Sequence, residues 1–85
     1  MSKITMAVNG TTLTFEPNAT AYNKFINEMA MDNKVAPANN YLRRIVHVEC
    51  KEALDTILDI PGSALQICSF VNDQFAPKLE IELKN

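Results

Sequence analysis

The sequence predicts a small α+β fold in which an N-terminal β-hairpin and a C-terminal strand form an antiparallel or mixed sheet packed against three to four helices, in the order ββααααβ. Three observations lead to this prediction. Two alternating segments flank Asn9-Gly10, apolar residues then recur at helical spacing, and residues 78–84 alternate again. The 85 residues suffice for one domain with a modest core, so we expect a single domain over residues 1–85.

Composition and charge exclude several classes of protein. Hydrophobic residues make up 47% of the chain and charged residues 21%, which is typical of a globular protein. The net charge of −2 argues against a partner that is nucleic acid or membrane. No apolar run approaches the ~20 residues of a membrane span, and the first residues lack the apolar stretch of a signal peptide. We therefore expect a protein that resides in a cytoplasm.

Asn9-Gly10 is a strong hairpin signal, because a type I′ turn needs positive φ at both central residues. Pairing through this turn places every large apolar side chain of both strands on one face, and a slip of one residue would expose them. The apolar face consists of Ile4, Met6, Val8, Leu13 and Phe15.

A first helix is predicted from about Thr20 to about Met31, after Pro17-Asn18 interrupts the strand pattern. Its apolar residues recur at offsets 0, 3, 4 and 7, which places them on one face of an α-helix. This face should cover the hairpin and consists of Tyr22, Phe25, Ile26 and Met29.

A second helix is predicted from about Asn40 to Val48, with Asn39 as its cap. Residues 32–38 should form a loop with an extended Ala36, because a residue before proline avoids the α conformation. One face carries Leu42, Ile45 and Val46 toward the core. The opposite face carries Arg43, Arg44 and His47, which form either a basic patch for an acidic partner or a solvated surface.

Two further helices should follow, Lys51–Asp59 and Gly62–Phe75, separated by Pro61. The second and third helices could also form one bent helix, because the break near Glu49-Cys50 is weakly marked. Phe70 lies off the apolar stripe of the last helix, so it is either covered by another element or offered to a partner. The inward residues of the third helix are Ala53, Leu54, Ile57 and Leu58, and those of the fourth are Ala64, Ile67, Cys68, Val71 and Phe75.

The C-terminal segment Lys78–Lys84 has the alternation of a half-buried strand. Leu79, Ile81 and Leu83 point one way, and Glu80 and Glu82 point the other. We expect this segment to pair with the hairpin, because a hairpin alone is marginal in water. Its neighbour and direction are left open by the sequence.

No arrangement of catalytic residues is found, so we expect neither an enzyme nor a cofactor. His47 has no serine or cysteine placed to use it as a base. His47 and Cys50 are two potential ligands without a second pair, and two ligands alone do not form a zinc site. Cys68 lies on an apolar helix face and is interpreted as a small hydrophobic residue.

Several stretches in order resemble the tail assembly chaperones of tailed bacteriophages and prophages, over nearly the whole chain. The most specific is Tyr22–Asn27 followed by Asn33–Leu42. The stretches are MSKIT at 1–5, AYNKFINE at 21–28, NKVAPANNYL at 33–42, KEAL at 51–54, PG at 61–62, LQI at 65–67 and FAPKLEI at 75–81.

The resemblance implies a chaperone made in the cytoplasm of the host bacterium. Such a protein would hold the tape measure protein during tail assembly and be absent from the finished virion, with tail tube proteins as further candidate partners. An alternative is a small structural or adaptor protein retained in the tail. The resemblance carries no catalytic residues. A holdase of this kind needs adaptable apolar surface, for which Phe70, Met31 and Met29 are the candidates, and Arg43 and Arg44 are candidate basic contacts.

Overall fold

The computed structural model describes residues 3–84 as an α+β fold, which confirms the predicted class. A two-stranded antiparallel sheet is followed by four α-helices and one short 3-10 helix. The elements are β1 (Ile4–Val8), β2 (Thr11–Phe15), α1 (Ala19–Glu28), α2 (Val35–Ile45), the 3-10 helix (Val48–Cys50), α3 (Lys51–Leu58) and α4 (Ser63–Phe75).

The hairpin has the predicted turn and register. Ile4 lies opposite Phe15, Met6 opposite Leu13 and Val8 opposite Thr11. Asn9 and Gly10 have φ angles of 50° and 82°, the positive values that a type I′ turn requires. Leu13 and Phe15 are fully buried, whereas the apolar residues of β1 stay partly exposed. The centre of the core therefore lies beneath β2.

We expect Gly10→Val to reduce the free energy of unfolding by about 1–3 kcal/mol, because a β-branched residue is strained at positive φ. A Cβ atom at Gly10 would meet nothing within 4 Å, so backbone strain is the only cost. Thr12→Val is the matched control, because it places the same side chain in an exposed strand position. Urea denaturation followed by circular dichroism measures both, and equal stabilities would contradict the type I′ turn.

The core is built around α2, which contacts α1, α3 and α4. Tyr41 is its largest fully buried side chain. Its ring stacks on Phe25 with centroids 4.9 Å apart, and its hydroxyl donates a hydrogen bond of 3.1 Å to Oδ1 of Asn72. Burial, with smaller contributions from Cys68 and Tyr22, raises the pKa of Tyr41 to about 12. Burial also raises the pKa of Cys68 to about 12, so neither group is ionised at neutral pH.

The first helix is shorter than predicted, and only half of its apolar stripe is inward. It ends at Glu28, with Met29 in an extended conformation. The buried residues of this helix are Phe25 and, one turn earlier, Ala21. Ile26 and Met29 remain 46% and 38% exposed. The large aromatic side chains set the rotation of this helix, because Phe25 must stack on Tyr41.

The predicted bounds of the second helix are wrong. It begins at Val35 and includes Ala36 and Pro37, since a proline in the first turn loses no intrahelical hydrogen bond. It ends at Ile45, where the chain becomes extended and Val46 pairs with Phe15 on the outer edge of β2. This extended segment also excludes a single bent helix continuing into α3.

Two hydrogen bonds fix the extended segment against β2. The N–H of Glu16 donates to the C=O of Ile45 at 2.8 Å, and the N–H of His47 donates to the C=O of Thr14 at 2.9 Å. Tertiary pairing thus replaces the last helical turn.

The third and fourth helices agree with prediction to within a residue at each end. Leu54 and Ile57 are buried on α3. Gly62 caps α4 with a φ of 80°, a conformation that favours glycine. The residues of the predicted α4 stripe are buried, except for a half-buried Phe75. No helix within residues 3–84 is long and apolar enough to cross a membrane.

The prediction of a C-terminal strand on the hairpin is wrong. Residues 78–84 belong to no strand, and all are exposed. Leu79, Ile81 and Leu83 have 74%, 84% and 91% of their surface exposed. Alternation of apolar and charged residues indicates that a segment can form a half-buried strand, but it does not show which strand would pair with it. Here Val46 takes the outer edge of β2, and the C-terminal segment is left without a partner in the described chain.

Candidate partner-binding surface

An apolar groove of about 420 Å³ lies between β1 and α4, and we call it the β1–α4 groove. It is lined by Met6 and Val8 from β1 and by Ile67 and Phe70 from α4, with Ala7, Asn9 and Gln66 at its margins. Period-two alternation in β1 and the i, i+3 spacing of Ile67 and Phe70 turn these four side chains toward each other. The groove is thus formed where the partly exposed side of β1 meets α4.

Phe70 is the most exposed large apolar side chain of the groove, at 49%. It also borders a neighbouring cleft of about 270 Å³ formed with Lys3, Ile4, Thr5 and Gln74. Phe70 therefore stands between two depressions along the same strand. About half of the surface of Phe70 is open to solvent, so no element within residues 3–84 covers it fully.

Met31 lies away from the residues that line the groove. It occupies the turn between α1 and α2, where Ala30 and Asn33 are bridged, and its side chain is 97% exposed. Ile26, Met29 and Val35 are also exposed around this turn. Residues 26–35 thus form a second region with exposed apolar side chains, separate in sequence from the groove.

Arg43 and Arg44 both face carboxylates of neighbouring helices. Nε of Arg43 lies 3.1 Å from Oδ1 of Asp55, and Nη2 of Arg44 lies 3.4 Å from Oε2 of Glu28. His47 lies 3.2 Å from the carboxylate of Glu16. Both arginines of α2 are therefore paired with carboxylates, one on α3 and one on α1. An acidic partner would have to compete with these carboxylates, although Arg43 is more than half exposed.

The described residues bring together no group of three or more potential metal ligands. The protonated, buried thiol of Cys68 donates to the carbonyl of Ala38 at 3.7 Å. It has neither the exposure nor the thiolate character of a reactive cysteine. What this surface offers is apolar contact area.

The sequence nominated Phe70, but it assigned the other apolar residues that line the groove to the core. Met6 and Val8 share the apolar face with Leu13 and Phe15, and alternation cannot distinguish the buried strand from its half-exposed partner. Val46 pairs with Phe15 on one side of β2, and β1 is left as the open edge of the hairpin. This arrangement depends on a contact between two residues 31 positions apart, which local sequence patterns do not reveal.

Comparison with known proteins establishes the family. A family model described as "Phage tail assembly chaperone" matches residues 4–85. The chain belongs to the phage tail assembly chaperone family. It is also 39% identical over 82 residues to an uncharacterized 11.3 kDa protein in the lys 3′ region of Haemophilus phage HP1 (strain HP1c1). That alignment covers 96% of this chain and 80% of the relative. No solved structure matches the chain significantly.

Proposed function

We propose that this protein binds apolar helical segments of the tape measure protein in the host bacterial cytoplasm during tail assembly, and then leaves before the virion is complete. Membership of the family supports the chaperone role. The single structural observation that carries the proposal is the half-exposed ring of Phe70 at the apolar β1–α4 groove. An amphipathic helix laid in an apolar groove is an established mode of recognition.

The groove suits a partner that is apolar but not unique in sequence. Met6 supplies an unbranched, polarisable side chain that adapts to different neighbours, and Phe70 supplies a large flat surface. Met31 adds a second adaptable contact in this proposal, and Arg43 and Arg44 add polar contacts at the periphery.

The test is co-expression with the tape measure protein of the same phage, scored by the yield of soluble complex. Phe70→Glu should reduce binding by about thirtyfold or more, because a central aromatic contact of this kind contributes at least ~2 kcal/mol. Ser69→Glu is the matched control, because it adds the same charge to an exposed neighbouring position outside both depressions. Met31→Glu and Arg43→Ala measure the secondary contacts and should have smaller effects.

Circular dichroism on each variant separates loss of binding from loss of fold. Because Phe70 is half exposed, Phe70→Glu should melt near the temperature of the wild type. A large fall in the melting temperature of Phe70→Glu would show that Phe70 is part of the core. Failure of the wild type to bind any part of the tape measure protein would contradict the chaperone function, and detection of the chain in purified virions would favour a retained tail component.

A further inference from the structure

We propose that the C-terminal segment of one molecule, residues 78–84, adds as a third strand to the free edge of β1 in a second copy of this chain. The two copies would exchange these segments reciprocally and form a dimer. The proposal does not rest on the proposed function, because it concerns only copies of this chain and is measured without any other protein.

The donor is a strand-like segment without a neighbour. None of the hydrogen bonds or ion pairs among residues 3–84 involves residues 78–84. The radius of gyration is 13.8 Å, against about 12 Å for a compact chain of this length, which agrees with a projecting segment. Leu79, Ile81 and Leu83 are largely exposed, and three large apolar side chains so close together in the chain are poorly placed in water. The segment is positioned to reach another molecule.

The acceptor is the open edge of β1. The C=O of Thr14 on β2 and the N–H of Glu16 just after it point away from β1 and bind the segment at Ile45–His47. Backbone groups alternate in direction along an antiparallel pair, so Thr5, opposite Thr14, and Ala7, opposite Thr12, point theirs away from β2. Within residues 3–84 no strand lies on that side of β1. These N–H and C=O groups form a template for strand addition.

The side chains of donor and acceptor match on both faces of the extended sheet. Because the period of a strand is two, either strand direction can turn Leu79, Ile81 and Leu83 toward α4. They would cover the β1–α4 groove and the exposed half of Phe70. Glu80 and Glu82 would then lie on the outer face, where Lys3 is exposed and makes no ion pair within the described chain.

Self-association and tape-measure binding would use the same surface under these two proposals. A dimer would have to release a segment before its groove could receive another helix. Reciprocal exchange also closes the assembly, since each copy donates one strand and accepts one. A closed dimer leaves neither an apolar segment nor an open β1 edge to aggregate.

The experiment measures the mass of the full chain by light scattering and sedimentation over a range of concentrations. The wild type should approach the dimer mass as concentration rises. Ile81→Asn should raise the dissociation constant about tenfold or more, because it removes a large apolar contact. Glu82→Asn is the matched control on the other face of the segment and should remain dimeric. Both positions are exposed and outside the core, so neither change should unfold the protein.

A variant of the acceptor tests the edge itself. Ala7→Pro removes an N–H group that points away from β2, so the hairpin keeps its own hydrogen bonds while the edge loses a donor. Ala7→Pro and Ile81→Asn should each dimerise more weakly than the wild type. In their mixture the heterodimer should form more readily than either homodimer, because one of its two strand pairings joins an unaltered donor to an unaltered acceptor. A wild type that stays monomeric at its highest attainable concentration would overturn the proposal. Equal masses for Ile81→Asn and Glu82→Asn would also overturn it.

Discussion

Tyr41→Ala should reduce the free energy of unfolding by about 3–5 kcal/mol, the usual cost of removing a large buried aromatic ring. The ring is fully buried at the centre of α2, stacked on Phe25 and edge-on to Tyr22 with centroids 6.3 Å apart. Its loss would open a cavity between α1, α2 and α4. A chain of 85 residues has on the order of 4–13 kcal/mol of stability in total, so this one change removes a large share of it.

Two controls separate the ring of Tyr41 from its hydroxyl and from surface effects. Tyr41→Phe removes only the hydrogen bond to Asn72 and should cost about 1 kcal/mol. Arg43→Ala removes an exposed ion pair with Asp55 and should change stability by no more than about 0.5 kcal/mol. Urea denaturation at one protein concentration gives all three values. If Tyr41→Phe proved as costly as Tyr41→Ala, the hydrogen bond rather than ring packing would dominate.

Local sequence features predicted the elements whose formation depends on nearby residues. The Asn9-Gly10 turn fixes the register of the hairpin. Its two residues have the positive φ angles of a two-residue type I′ turn, which places Val8 opposite Thr11. Helix α4 is bounded by Gly62 and Pro77 and carries an uninterrupted apolar stripe. In both elements propensity, pattern and turn chemistry agree, which makes such segments readable from one sequence.

Contacts between distant residues decided the features that the sequence did not reveal. Helix α2 ends at Ile45 because Val46 is extended and pairs with Phe15 of β2. The alternation of residues 78–84 predicted a strand beside the hairpin, but these residues belong to no strand in the structure. The candidate site shows the same division. Phe70 was nominated because it breaks a helical stripe. The place of Met6 and Val8 in the groove was not predicted, because their exposure depends on which edge of the sheet is open.

Phe15→Ala should reduce the free energy of unfolding by about 3–5 kcal/mol, because Phe15 is fully buried and lies where β1, β2 and the segment at Val46 meet. Phe15 lies opposite Ile4 in the hairpin and pairs with Val46 on its other side. Truncation would remove packing beneath β2 and weaken the segment that separates α2 from the 3-10 helix. Far-ultraviolet circular dichroism during urea denaturation should report the loss as a lower midpoint.

Ile4→Ala is the matched control, because Ile4 faces Phe15 on the same side of the hairpin but remains partly exposed. Its substitution should cost only about 1–2 kcal/mol, since fully burying a large apolar side chain contributes about 1.5–3 kcal/mol and Ile4 is only partly buried. If the core is centred beneath β2 and β1 is an open edge, Phe15→Ala must cost more stability than Ile4→Ala, although the two residues form one cross-strand pair. Equal costs would mean that β1 is as deeply buried as β2, and the open edge and the groove beside it would then be wrong.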